Sequence, residues 1–105
     1  MKDYSLYYWD RRLSEDEVVK LLQLAWDELY DMEYEGVFGA WRGVHYEPET
    51  DTVYITWDTM YVGPPLMLSY NRTTCGFRLD YARDEFLELE EVEVERIRNL
   101  PPGKR

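Results

Sequence analysis

Apolar residues recur at three- and four-residue spacing from Val18 to Met32 and at two-residue spacing in several shorter stretches beyond it. These two rhythms predict one helix and a set of strands. Ser14 with Glu17 three residues later makes a capping box, and Glu15 and Asp16 place negative charge at the positive end of the helix dipole. Val18, Leu21, Leu22, Ala25, Trp26, Leu29 and Met32 then fall on one face. Glu33 would interrupt that face and Gly36 supplies a stop, so the helix is expected to end between Met32 and Glu35. Asp16, Lys20, Asp27 and Asp31 take the opposite side. Leu24 lies among them, either a single exposed apolar residue or an anchor for a partner.

Ahead of the helix, the aromatic run Tyr4 to Trp9 predicts a short strand. Behind it, Val37 to Gly43 holds too many glycines for a regular start. Val44 to Glu47, the turn Pro48-Glu49-Thr50-Asp51 and Thr52 to Trp57 form a strong hairpin pattern. In the second arm Val53, Ile55 and Trp57 point one way, while Tyr54, Thr56 and Asp58 point the other, so one face is expected to be buried and one wet. Gly63-Pro64-Pro65 ends the strand region that runs to Val62. Leu66 to Tyr70 and Phe77 to Tyr81 follow as further strands around a turn at Asn71 to Gly76, giving an antiparallel meander.

Asp84 to Glu95 holds seven carboxylates in twelve residues and no base. Glu favours a helix, whereas Val92 and Val94 favour a strand. On a helix Glu90 and Glu93 would enter the arc of Phe86, Ile97 and Leu100. As a strand, Leu87 with Leu89, and Val92 with Val94, each share a side once the doubled Glu90-Glu91 is read as a β-bulge. The strand is therefore preferred. The expected fold is α+β, one amphipathic helix packed on a four- to five-stranded antiparallel sheet, with residues 1–100 a single domain and 101–105 a flexible tail.

Composition narrows the function. The 105-residue chain is 45% hydrophobic and 16% aromatic, which suits one ordered domain. Its formal net charge of −10 argues against direct binding of nucleic acid or anionic membrane, and the natural partner is a basic protein surface. No apolar run reaches membrane-spanning length and Met1 to Ser5 lacks the apolar stretch of a secretory signal, so a cytoplasmic location is expected, in the host cytoplasm if the gene is phage-borne. Asn71-Arg72-Thr73 fits the glycosylation sequon but then reads as a polar turn.

Catalytic and cofactor patterns are not recognisable. His45 and Cys75 are the only residues of their types, so zinc sites rich in either are excluded within one chain, and a Cys-His pair has no visible activating partner. The glycines at 36, 39 and 43 lack phosphate-loop spacing, and the carboxylates lack a calcium-loop pattern. No cofactor, metal site or enzymatic activity is expected. The expected binding surface comprises Glu88, Glu90, Glu91, Glu93 and Glu95 of the last segment with Asp27, Asp31 and Leu24 of the helix. Strand carboxylates at ~6.6 Å steps have about half the linear charge density of one DNA strand. The expected role is a small acidic inhibitor or neutraliser of a basic, nucleic-acid-handling protein. By analogy of class it is a DNA-mimic, anti-CRISPR-like anti-defence protein of phage or an immunity protein for a nuclease toxin. The alternative is a housekeeping adaptor or assembly module docking through its aromatic N-terminal strand.

Overall fold

A computed structural model describes residues 5–32, 38–60 and 63–103. Its elements run β1 (Tyr8–Trp9), α1 (Glu15–Asp31), β2 (Phe38–Glu47), β3 (Thr52–Thr59), β4 (Leu66–Asn71), β5 (Phe77–Tyr81) and α2 (Asp84–Arg98). The strands form one sheet in sequence order. The class is α+β, as the sequence implies, but the sheet is mixed and not purely antiparallel. β2 to β5 make the antiparallel meander, whereas β1 runs parallel to β2 with Tyr8 beside Gly43 and Trp9 beside Val44. Parallel neighbours need a long crossover, and α1 is that crossover.

α1 begins where its cap places it. The Ser14 hydroxyl accepts from the Glu17 N–H at 3.2 Å, and Glu15, Asp16 and Glu17 fill the first turn. Val18, Leu21, Leu22, Ala25 and Leu29 are buried and join Trp41, Val44, Val53, Ile55, Trp57 and Leu68 in the main core. The helix ends at Asp31, so the expected extension to Glu35, and Gly36 as its stop, lie outside the described residues. The same is true of Tyr4 at the start of the first strand, of Tyr61 and Val62 beyond β3, and of the last two residues of the tail.

β2 starts earlier than its glycines suggest. It opens at Phe38, and register shifts between Phe38 and Trp41 and between Trp41 and Gly43 absorb the irregular stretch. Gly39 is there for close approach, because a Cβ built on it would lie 2.0 Å from the Asp58 carbonyl oxygen.

The larger correction concerns the acidic segment, which is helix and not strand: α2 spans Asp84–Arg98. It touches the sheet on the face opposite α1, over β1 and β2, and buries Phe86 and Glu90 there. The face expected to be wet is therefore partly roofed. Tyr54 and Thr56 are 7% and 0% exposed, and Tyr54, Met67 and Phe86 form a second, smaller apolar cluster.

Candidate functional site

α2 is fastened to the sheet by charge as much as by apolar packing. Arg83, just before its first turn, donates to Glu47 at 3.1 Å and to the Tyr54 hydroxyl at 2.9 Å, with its guanidinium over the Tyr54 ring. One turn further, Phe86 stacks on the imidazole of His45 at 4.1 Å, and Tyr8 of β1 stacks on the same imidazole at 4.7 Å. Another turn on, Glu90 drops its carboxylate into the sheet. Oε1 accepts from the Thr56 hydroxyl at 2.7 Å and from Arg42 Nε at 3.0 Å, while Oε2 lies 3.1 Å from His45 Nε2. Those partners satisfy a carboxylate that is 0% exposed, a charge that would not be tolerated there alone.

Arg42 is the hub of this cluster. Besides Glu90 it holds Asp58 of β3 at 3.0 Å and Glu91 of α2 at 2.9 Å. Burial opposes its charge, but the hydrogen bonds to Glu91 and Asp58 and the field of Glu90 outweigh burial and raise its pKa. Since His45 is 3% exposed and Glu90 0%, the dyad presents no open face to a substrate, and its role here is to hold α2. Cys75 is exposed on the turn between β4 and β5, away from His45, so the two form no Cys-His pair. Among the described residues no group of three or more His, Cys, Asp or Glu is placed to hold a metal ion. No helix among them is long and apolar enough to cross a membrane.

The outer side of α2 is different. At 100° per residue, Asp84, Glu88, Glu91 and Glu95 fall within an arc of about 60° on the side away from Phe86 and Ile97. All four are exposed, and Val92 beside them is 67% exposed. Asp84, Leu87, Glu88, Glu91 and Val92 line one shallow concavity. At a rise of ~1.5 Å per residue the stripe carries a carboxylate about every 5 to 6 Å, a denser row than the strand reading implied. Glu91 is tied to Arg42 and Glu95 to Arg98, whereas Asp84 and Glu88 make no ion pair among the described residues.

The expected binding surface is thus divided. Glu88, Glu91 and Glu95 come together on the stripe, which also includes Asp84, a residue the strand phase had not recruited. Glu90 leaves the surface altogether, because on a helix its phase is that of Phe86. Glu93 shares the side of Phe86, is half-buried along the groove beside β1 and is bonded to Arg96, whose hydrogen bond holds its pKa below the usual carboxylate range. Asp27, Asp31 and Leu24 are exposed on α1, across the sheet, so they do not extend the row on α2. Beside β1, a groove of about 620 Å³ runs between the helices, lined by Tyr7, Tyr8, Trp9, Arg11 and Val19 from one side and Arg96 from the other. No family model, curated protein or solved structure matches this chain.

Proposed function

We propose that the chain is a non-enzymatic binding protein whose α2 docks on the basic surface of a nucleic-acid-handling protein and blocks it, in the manner of a DNA-mimic inhibitor or a nuclease-immunity protein. The observation that carries this reading is the stripe Asp84, Glu88, Glu91 and Glu95, in a chain of net charge −10, on a helix whose opposite side buries Phe86 and Glu90 against the sheet. Rigid carriage favours such a role. Arg83, His45 and Arg42 pin the helix, so little conformational freedom remains to be lost when the stripe meets a partner. Val92 and Leu87 give the anionic row an apolar seam on which basic side chains can lay their methylene stems.

The test is inhibition by titration into DNA-cleavage assays of basic nucleases encoded beside the gene or in its host. Inhibition should weaken as salt rises from about 50 to about 300 mM and vanish in the triple variant Asp84→Lys, Glu88→Lys, Glu95→Lys, which leaves the Arg42–Glu91 tie in place. Undiminished inhibition by that variant, with unchanged circular dichroism, would remove α2 as the docking element. The groove beside β1 favours a second reading, an adaptor that binds through Tyr7, Tyr8 and Trp9. Such binding would be nearly independent of salt and lost on Tyr7→Ala.

A further inference from the structure

Among the described residues β5 is an edge of the sheet, with β4 on one side and no strand on the other. Its sequence, Phe77-Arg78-Leu79-Asp80-Tyr81, reads the same in character from either end: aromatic, charged, Leu, oppositely charged, aromatic. We propose that this edge pairs with the β5 edge of a second copy of the chain, antiparallel and centred on Leu79, to make a continuous ten-stranded sheet across a two-fold axis.

Backbone parity permits that register. Ala82 N–H donates to Pro65 and Asn71 N–H to Gly76, so residues 76 and 82 turn their hydrogen-bonding groups toward β4. The register between β4 and β5 is regular from Tyr70 with Phe77 to Leu66 with Tyr81. Alternation then directs the N–H and C=O of Phe77, Leu79 and Tyr81 outward. The Tyr81 N–H agrees, since it is taken by the side chain of its own neighbour, Asp80, at 2.8 Å. A two-fold axis at Leu79 sets these outward residues opposite one another, Leu79 with its own copy and Phe77 with Tyr81 of the second copy. Each such facing pair exchanges two backbone hydrogen bonds.

Side chains match in the same register. Arg78 faces Asp80 of the second copy, and Asp80 faces its Arg78, at the closely spaced non-hydrogen-bonded positions where cross-strand pairs interact most. Both side chains are open in the monomer, 82% and 53% exposed, and 3.9 Å apart, so each is free to exchange its own-chain partner for the copy's. Asp80 leaves the Tyr81 N–H as it does so, releasing that donor to Phe77 of the second copy. Tyr81, 66% exposed, gains an aromatic neighbour.

The overall charge does not prevent the approach. Between Asp58 and Asp84 the only acid is Asp80, against Arg72, Arg78 and Arg83, so the β4–β5 hairpin itself carries a net positive charge within the acidic chain. Charged residues commonly blunt an edge strand, but an Arg and an Asp placed symmetrically about the centre repel other strands while accepting their own copy.

Sedimentation of the whole chain over about 5 to 500 µM tests this, with circular dichroism to verify folding. The wild type should dimerise. Arg78→Asp alone and Asp80→Arg alone, each setting like charges opposite, should weaken the dimer at least about tenfold. An equimolar mixture of those two variants should form a heterodimer, and the double swap Arg78→Asp with Asp80→Arg should dimerise again. A wild type that stays monomeric, single variants that dimerise like the wild type, or a folded double swap or mixture that stays monomeric would each overturn the proposal.

Discussion

Oε2 of Glu90 lies 3.1 Å from Nε2 of His45, and the two side chains are enclosed between α2 and the sheet. Because a carboxylate only accepts, His45 must present Nε2 as the donor, as Thr56 and Arg42 present theirs to the other oxygen. Glu90→Ala would leave a guanidinium, an imidazole and a hydroxyl facing a void. The expected cost in urea denaturation is about 3 to 5 kcal/mol. Glu90→Gln, which keeps the volume but points an amide NH₂ at one of the donors, should fall between alanine and wild type. If Glu90→Ala cost under ~1 kcal/mol, the cluster would not be what holds α2.

How this helix escaped a reading by periodicity follows from the same residues. A Glu on the apolar arc argues against a helix only if nothing receives it, and its receivers are 48, 45 and 34 positions away at Arg42, His45 and Thr56. Local pattern is blind to that. α1 and the β2–β3 hairpin were legible because their signals are local: the Ser14 cap, the apolar face from Val18 to Leu29, and the alternation through Val53, Ile55 and Trp57. A two-residue β1 carries no mark of direction, and its parallel pairing follows from the crossover of α1. The acidic row was present in the sequence as Asp84, Glu88, Glu91 and Glu95, at offsets of four, seven and eleven, and only the choice of period concealed it.

Two glycines of β2 should respond to alanine in different degrees. A Cβ at Gly39 would sit 2.0 Å from a backbone oxygen of Asp58, which can move only if the bulged end of the hairpin opens. At Gly43 it would meet His45 Nε2 at 3.0 Å and Glu90 Cγ at 3.1 Å, side-chain atoms able to shift by a few tenths of an ångström. Gly39→Ala should therefore cost about 3 kcal/mol, and Gly43→Ala about 1 kcal/mol. Hydrogen exchange should place the first loss at the β2–β3 end and the second in α2. The reverse order of cost would contradict the bulge geometry.

Asp10 should make the fold sensitive to acid. Its carboxylate, 7% exposed, accepts from Arg12 Nη2 at 2.7 Å, Arg12 Nε at 3.0 Å, the Arg12 N–H at 3.0 Å and the Tyr46 N–H at 3.2 Å. The Arg12 side-chain hydrogen bonds, helped by those of the two backbone N–H groups, pull its pKa below the ordinary value against the opposing effect of burial. A depressed pKa favours the folded state fully above the unfolded value, near pH 4, and that contribution is lost as pH falls through the lower folded value. Asp10→Asn should lower stability at pH 7 by about 1 to 2 kcal/mol, discounted for the exposure of Arg12, and should flatten the stability profile below about pH 4. Denaturant midpoints measured from pH 7 down to pH 3 decide it, and equal acid sensitivity in both proteins would assign the effect to other carboxylates.

The phase of α1 decides whether Asp27 and Asp31 face solvent, and two leucines five positions apart report it. Leu29 is 1% exposed and packs in the main core that Ala25 and Trp57 share, whereas Leu24 is 41% exposed on the acidic side. Leu29→Ala opens a cavity beneath the 17-residue helix α1, packed on the sheet through Val18, Leu21, Leu22 and Ala25, where collapse around the void is restricted. Its expected cost is roughly 2 to 4 kcal/mol, against under ~1 kcal/mol for Leu24→Ala. Chemical denaturation of both variants, with unchanged slopes to show that neither unfolded state has altered, makes the comparison. A larger loss at Leu24 would mean that α1 is rotated from the phase its cap and apolar face set, and that Asp27 and Asp31 turn toward the sheet.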